Sequence, residues 1–210
     1  MQALVFITCL VILSGCTTAS RSTAQAFQLL RGQKPPTVEE VAANRFAQAL
    51  VNAPDIKGLI VLGYVEGERQ TWYAGHHAVF YLSSDGLITG VNGMGRAYAA
   101  AVTSPSPFSR AEAPIDGTRI TRRFDWIPGY AMGVNVVSTI HLKGTEAVKI
   151  LGVQRTLRRY EEHLEGGGFS DLNVYWVDAE SGFIWKSRQH LAPGYAVELT
   201  QLKPFLPDRD

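Results

Sequence analysis

Cysteine is almost absent from this chain of 210 residues. The two that occur, Cys9 and Cys16, both lie within the first 16 residues, so the sequence after Cys16 contains neither a thiol nor a disulfide. Thiolates serve as the nucleophile of cysteine hydrolases and as ligands in many zinc sites. The sequence therefore excludes cysteine nucleophiles, disulfide staples and cysteine metal sites from the body of the protein.

An excess of charge of one sign is also lacking. The 20 Lys and Arg residues nearly balance the 19 Asp and Glu residues, which gives a formal net charge of +1. A chain with this balance has no global field that would attract nucleic acid. Hydrophobic residues make up 46% of the sequence, which is typical of a globular protein. We expect one globular domain that binds no nucleic acid.

Motifs of catalysis and of metal binding are missing as well. The five histidines show no spacing typical of zinc or iron sites, and the adjacent His76 and His77 would point to opposite faces of a strand. The serines nearest to a hydrolase frame, Ser83 and Ser84, lie in a predicted turn and not in a Gly-x-Ser-x-Gly sequence. We predict no metal, no cofactor and no catalytic residue.

Three carboxylates near tryptophans leave a weaker alternative open. Asp125, Asp178 and Glu180 could supply the acid and the nucleophile of a glycosidase, which needs two carboxyl groups across a cleft. Asp178 and Glu180, however, flank a predicted hairpin turn, where we expect them to be solvated. A cryptic polysaccharide hydrolase is therefore the less favoured hypothesis.

The first residues form an apolar run. Residues 3–13 are almost entirely apolar, and residues 1–15 carry no charged side chain. The run is shorter than the ~20 apolar residues that cross a bilayer, but it suits a secretory signal. Leu13-Ser14-Gly15-Cys16 resembles a bacterial lipobox, in which the cysteine takes a diacylglyceryl group and a peptidase cleaves before it. We predict a signal peptide over residues 1–15 and lipidation of Cys16.

Lipidation would fix the location of the protein. A multiply acylated cysteine is a stable membrane anchor, whereas a single acyl chain binds only marginally. Thr17 follows the cysteine, and the lipobox resemblance implies that an aspartate at that place would favour retention in the inner membrane. We expect a lipid-anchored protein on the periplasmic face of the outer membrane.

A tether and a helix precede the main domain. Residues 16–36 are rich in Ser, Thr, Ala and Gln and end in two prolines, which predicts a lipid anchor and a flexible tether. Thr37 and Glu40 fit a capping box. Apolar residues then recur at helical spacing until an Asn-Ala-Pro sequence at 52–54. We predict an amphipathic helix over residues 38–52, which leads a single domain over residues 37–210.

Beyond residue 57 the pattern is that of strands. Asp85-Gly86, Asp116-Gly117 and Ser181-Gly182 separate apolar runs and are typical of hairpin turns. Residues 156–165 leave two alternatives open, a helix with paired charges or a strand at a solvent edge. Other strands are predicted at 59–65, 70–74, 78–82, 87–91, 115–124, 131–142, 174–177, 183–188 and 196–202. We count roughly nine to eleven short strands, which predicts an all-β class with an antiparallel barrel or half-barrel.

Aromatic residues at strand ends support a binding hypothesis. Amphipathic rings can stack on sugar faces, although core packing is the alternative fate of each ring. Arg122 and Arg123 would point to opposite faces of one strand, so one of them would reach solvent or an acidic polymer and the other would be paired inside. The candidate ligand-binding residues are Arg122, Trp126, Tyr130, Trp176 and Trp185.

The C-terminal half resembles the YjbF/GfcB (YmcC-like) group of lipoproteins. The resemblance lies in Thr-Arg-Arg-Phe-Asp-Trp at 121–126, in Ser138, in Tyr-Trp-Val-Asp-Ala-Glu-Ser-Gly at 175–182 and in Lys-Ser-Arg-Gln at 186–189. It extends over residues 59–204. The resemblance implies a β-barrel-like fold and a place among proteins for group 4 capsule or other exopolysaccharide production and export. It implies no enzymatic activity.

These observations lead to one favoured function and two alternatives. The favoured one is a non-catalytic outer-membrane lipoprotein that acts as an accessory or assembly factor in polysaccharide export. Its expected partners are the membrane, through the lipid anchor, other polysaccharide-export proteins of the envelope, and polysaccharide itself. The alternatives are a glycan- or lipid-binding periplasmic module and the cryptic hydrolase.

Overall fold

The structure is a computed structural model that describes residues 35–93, 95–102, 106–108 and 113–205. The predicted signal peptide, Cys16 and most of the predicted tether lie outside the described residues.

Twelve antiparallel strands form a closed barrel, with one short helix before them. Each strand pairs with the next one along the chain, and β12 pairs with β1 to close the ring. The helix is α1 (Val38–Ala43), and the strands are β1 (Gln48–Asn52), β2 (Lys57–Glu66), β3 (Arg69–Ala74), β4 (Ala78–Ser83), β5 (Ile88–Gly93), β6 (Arg96–Val102), β7 (Arg119–Ile127), β8 (Ala131–Ile150), β9 (Val153–Gly166), β10 (Phe169–Val177), β11 (Ile184–Ala192) and β12 (Tyr195–Lys203). The predicted all-β antiparallel class is confirmed, and the barrel is closed.

The predicted helix over residues 38–52 is wrong in its second half. Its start is as expected, since Thr37 and Glu40 form both hydrogen bonds of the capping box. The helix ends at Ala43, because Asn44 is extended and its side chain accepts a hydrogen bond from the Phe46 amide. Residues 48–52 form β1 instead, which pairs with β2 on one side and with β12 on the other. Pairing on both edges outweighs the weak local preference for helix.

The segment over residues 156–165 is a strand. It lies within β9, whose 14 residues pair with the 20-residue β8. Arg159 contacts Glu161 at 2.6 Å, and two residues is the spacing at which strand side chains share a face. The charges that fit a helix at (i, i+3) or (i, i+4) thus stabilise one face of a strand.

Strands β8 and β9 extend past their neighbours as a two-stranded arm, residues 146–157, which we call the β8–β9 arm. Its tip lies against the outer wall of the barrel, where Ile150 and Leu151 face Leu50 and Leu202 across a groove of about 550 Å³. Nearer the barrel, the Arg155 guanidinium lies 3.6 Å from the ring centre of Trp185. The arm is therefore held to the wall by a cation–π contact, and its tip borders a groove on the same wall.

Side chains fill the barrel interior. One apolar cluster is built around Trp72, Phe80 and Phe124, and a second around Tyr160 and Tyr175. Strand β11 also contacts β6 and β7, which are far from it in strand order, so opposite walls approach each other. The inward positions along each strand are thus core positions, and the alternate positions form the outer wall.

Candidate functional site

A buried ion pair joins β7 and β9, the two strands on either side of β8. Arg122 on β7 donates from Nε to Glu162 Oε1 and from Nη2 to Glu162 Oε2, each over 3.1 Å. The two side chains are 2% and 0% exposed. A bidentate pair of this kind is the geometry in which arginine holds a carboxylate most firmly.

Three further polar side chains complete the site. Tyr175 donates its hydroxyl to Glu162 Oε2 over 2.6 Å and accepts from Arg122 Nη2 over 2.7 Å. Asn173 Nδ2 donates to the same carboxylate oxygen over 3.0 Å, and the Ser138 hydroxyl donates to Oε1. We call Arg122, Ser138, Glu162, Asn173 and Tyr175 the Arg122–Glu162 cluster. Each polar group in it has a partner, which is what allows a charge to be buried.

Electrostatics keep the cluster in one protonation state. Burial raises the pKa of Glu162, but the charge of Arg122 and the hydrogen bonds from Ser138, Tyr175 and Asn173 outweigh it, so the pKa lies below its ordinary value. Burial raises the pKa of Tyr175 well above its ordinary value, so its hydroxyl stays neutral. Glu162 is therefore a carboxylate whose oxygens are occupied, and it is unsuited to act as an acid or a base near neutral pH.

His190 extends the cluster toward the surface. Its backbone amide and its Nδ1 lie 2.7 Å and 3.0 Å from Asn173 Oδ1, and its Nε2 lies 3.4 Å from Asp171. Burial lowers the pKa of His190, Asp171 opposes that effect and Arg188 adds to it, so the pKa lies below its ordinary value. Neutral His190 thus fixes the orientation of Asn173 within the cluster.

The predicted ligand-binding residues do not lie together. Arg122 is the arginine paired inside, whereas Arg123 is half exposed and contacts Asp125 at 3.6 Å. Trp126 is half-buried and packs edge-on against Phe169 of the core. Tyr130 is 80% exposed in the turn after β7. A binding role for Arg122, Trp126 and Tyr130 stays a prediction.

Trp176 and Trp185 line the contact between the barrel and the β8–β9 arm. The Trp176 indole donates to Glu146 of the arm over 2.8 Å, and the Lys186 ammonium lies 4.6 Å from the centre of its ring. Trp185 lies under Arg155. Both rings are half-buried by these contacts, so their binding role also stays a prediction.

Sequence reasoning missed Glu162, the centre of the cluster. Glu162 lies in the charged segment at residues 156–165, for which the sequence left a helix with paired charges and a solvent-edge strand open. The signal that could have found it is the period of two in Tyr160, Glu162 and Leu164, which share the inward face of β9 and are each 0% exposed. A carboxylate that shares the inward face of a strand with buried residues needs a buried cation to offset its charge, and Arg122 is that cation.

One carboxylate of the hydrolase hypothesis, Asp178, is engaged in local structure. Asp178 Oδ1 accepts hydrogen bonds from the Glu180 amide and from the amide and hydroxyl of Ser181. Burial raises the pKa of Asp178, but the hydrogen bonds from Ser181 outweigh it, so the pKa lies below its ordinary value. A glycosidase acid needs a raised pKa, so Asp178 is unsuited to that role.

His76 and His77 lie in the turn between β3 and β4 and not on a strand, which corrects the predicted placement. Within the described residues, no three His, Cys, Asp or Glu side chains are grouped as a metal site would require. The same residues include no helix that is both long and apolar enough to span a membrane.

Comparison with known proteins identifies the family. Residues 22–202 match the model of the family described as "Group 4 capsule polysaccharide lipoprotein gfcB, YjbF". The chain belongs to the YjbF family. Among its relatives is a protein named uncharacterized lipoprotein GfcB from Escherichia coli (strain K12), which is 26% identical over 212 residues, 97% of this chain and 99% of the relative. The name of that YjbF relative includes no catalytic activity.

The fold of the YjbF family member described here is also found in a solved structure. The crystal structure of the hypothetical lipoprotein YmcC from Escherichia coli (K12) superposes with a TM-score of 0.73 at 23% identity. The match covers 92% of this chain and 99% of YmcC. This likeness supports the barrel fold, and the family match associates the chain with group 4 capsule lipoproteins.

Proposed function

We propose that the protein is a non-catalytic lipoprotein, anchored through Cys16 on the periplasmic face of the outer membrane, that acts as an accessory or assembly factor in capsule or exopolysaccharide export. The observation that carries the proposal is the family match over residues 22–202 to a group 4 capsule polysaccharide lipoprotein. The lipobox at residues 13–16 supports the anchor.

The barrel interior favours a role through the outer surface. The two apolar clusters and the Arg122–Glu162 cluster occupy the inward positions, and the charges of the ion pair neutralise each other. Protein partners of the export apparatus and the polysaccharide would therefore meet the outer wall, the β8–β9 arm and the loops.

Deletion of the gene tests the function. We expect the deletion strain to lose cell-surface polysaccharide, and a plasmid copy of the wild-type chain to restore it. Surface polysaccharide is measured by immunoblot of whole cells and of the medium. Unchanged surface and secreted polysaccharide in the deletion strain would contradict the proposal.

Two cysteine variants test the anchor. Cells are labelled with radioactive palmitate, and their envelope is separated into inner and outer membranes. We expect Cys16→Ala to abolish labelling and outer-membrane recovery, while Cys9→Ala, which lies in the predicted signal, keeps both. Equal labelling of Cys16→Ala and the wild type would refute lipidation at Cys16.

A further inference from the structure

A groove crosses the outer wall of the barrel over β4, β5, β6 and β7. The strand register places Tyr81 opposite Gly90, Gly90 opposite Ala99, and Ala99 opposite Asp125. Neighbouring strands lie ~4.8 Å apart, so the strands that carry Tyr81 and Asp125 are about 14 Å apart with only small residues between them. The resulting cavity has a volume of about 460 Å³.

The floor of this groove is made of backbone and methyl groups. A Cβ at Gly90 would lie 2.8 Å from the Tyr98 carbonyl oxygen, so no side chain fits there without a shift of the backbone. Ala97 and Ala99 lie beside it and are half-buried. The floor therefore carries no side chain larger than a methyl group at these three positions, which leaves room for a sugar ring.

The two walls of the groove carry aromatic and polar groups. On one side, the Arg69 guanidinium lies 4.0 Å from the ring centre of Tyr81, and no carboxylate lies within 4.0 Å of it among the described residues. On the other side, Asp125 Oδ1 accepts from the Gly133 amide over 2.6 Å and contacts Arg123. The amide of Asn92 is exposed beside the floor.

We propose that this surface, the β4–β7 groove, binds an acidic pyranose residue of a polysaccharide. Arg69 covers one face of the Tyr81 ring, so the pyranose ring lies on the floor and packs against the edge of Tyr81. Its carboxylate pairs with the Arg69 guanidinium, which stacking on Tyr81 holds in place. Its hydroxyls donate to Asp125 and pair with the amide of Asn92. The volume lies within the ~300–1,000 Å³ typical of small-ligand sites.

The same features disfavour other occupants. An acyl chain prefers a wall without charge, whereas Arg69, Asp125 and Asn92 border this groove. An extended peptide adds to a free strand edge, and each of β4 to β7 is paired on both sides. Trp126, predicted from the sequence to bind ligand, contributes to the lining of the groove.

Titration calorimetry with the full-length protein in detergent tests the site. The probes are tetrasaccharides of hyaluronan and of polygalacturonate, acidic fragments of the polysaccharide that the bacterium exports, and maltotetraose as a neutral control. We expect at least one acidic probe to bind and maltotetraose to bind more weakly. The groove variants are Tyr81→Ala, which removes the ring that borders the floor and holds Arg69, and Ala99→Leu, which fills the floor. We expect each to weaken binding about tenfold or more.

Matched variants separate the site from effects on folding. Tyr64→Ala removes an exposed tyrosine of the outer wall that does not line the groove and should bind like the wild type. Arg69→Gln should reduce the preference for acidic over neutral probes. If circular dichroism shows that Ala99→Leu is unfolded, Ala97→Leu takes its place. Absence of binding to every probe, or equal binding by the wild type and folded groove variants, would overturn the proposal.

The inference rests on the proposed function for the source of its ligand. Different experimental outcomes would contradict the proposed function and the groove assignment. If deletion of the gene leaves polysaccharide unchanged but the groove binds acidic probes, only the proposed function is wrong. If deletion abolishes surface polysaccharide but Tyr81→Ala and Ala99→Leu alter neither probe binding nor complementation, only the groove assignment is wrong.

Discussion

The side chains of Arg122 and Glu162, 40 residues apart in the sequence, meet through two hydrogen bonds inside the barrel. Removal of two charges from water costs several kcal/mol per ion, and the attraction between them offsets that cost only when the geometry is good and the remaining polar groups are satisfied. The remaining polar groups of the pair form hydrogen bonds with Ser138, Asn173 and Tyr175. The cluster therefore fixes how β7, β8, β9 and β10 align inside the barrel.

Breaking the pair should destabilise the protein strongly. We expect Arg122→Met or Glu162→Gln to lower the free energy of unfolding by about 3–5 kcal/mol, because each leaves a buried group uncompensated. The measurement is urea denaturation followed by tryptophan fluorescence. Arg123→Ala, which removes the neighbouring exposed pair, should cost about 1 kcal/mol or less. A loss below 1 kcal/mol for both cluster variants would show that the pair is not buried as described.

Acid should weaken the fold through Glu162. Its folded pKa lies below the ordinary value of 4.5, so the unfolded chain binds this proton more tightly than the folded one. The stabilisation is present above pH 4.5 and is lost as the pH falls through the folded pKa. Urea midpoints measured across that range should fall with pH in the wild type and change less in Glu162→Gln. Parallel curves would contradict the shift.

His190 should produce a separate dependence at higher pH. Its pKa is lowered from 6.5, mainly by burial, so the folded protein binds fewer protons than the unfolded chain below that pH. Stability from this group is present above pH 6.5 and declines as the pH falls toward the folded pKa. We expect His190→Gln to lose less stability than the wild type between about pH 7.5 and about pH 5.5. An unchanged slope would exclude His190 as its source.

Contact between the β8–β9 arm and the barrel should depend on Arg155. We expect Arg155→Ala to lower the free energy of unfolding by about 0.5–1 kcal/mol and to shift tryptophan emission to longer wavelength, because Trp185 loses its cation–π partner and gains water. Arg158→Ala changes the other face of the same strand and is the control. If the two variants give the same emission spectrum, the contact with Trp185 does not hold the arm.

Two glycines should differ sharply in their tolerance of alanine. Gly93 has φ 148°, and a Cβ there would lie 2.2 Å from the His77 carbonyl oxygen. Gly67 has φ 57° and open space around that position. We expect Gly67→Ala to cost about 1 kcal/mol from backbone strain alone, and Gly93→Ala to cost more than about 2 kcal/mol. Thermal unfolding by circular dichroism would show the difference, and equal melting temperatures would contradict it.

Local chemistry made some elements predictable. The capping box of Thr37 and Glu40 and the Asp85-Gly86 turn depend on residues close in sequence, and both occur. Strand β1 was not predicted because it depends on pairing with distant segments, which its own sequence does not reveal. These segments are Lys57–Val61 and Glu198–Lys203.

The candidate site was harder to predict than the fold. A strand's alternation shows which residues share a face but not which side chain from another strand meets them, so Arg122 could be assigned to a buried pair or to solvent but Glu162 could not be named. The contacts of Trp176 and Trp185 with the β8–β9 arm could not be predicted, because the sequence carries no sign that the arm lies over them.

Closure of the barrel by β1 and β12 has a consequence for how the chain must fold. Asn52 on β1 and Glu198 on β12 hydrogen-bond across 146 residues of sequence. Contacts of such range form slowly, and a sheet that lacks its last strand exposes backbone edges prone to aggregation. Because β1 and β2 are synthesised first, the free edge of β1 stays open to other strands until β12 arrives, and the folding chain is most exposed to edge-to-edge association in that interval.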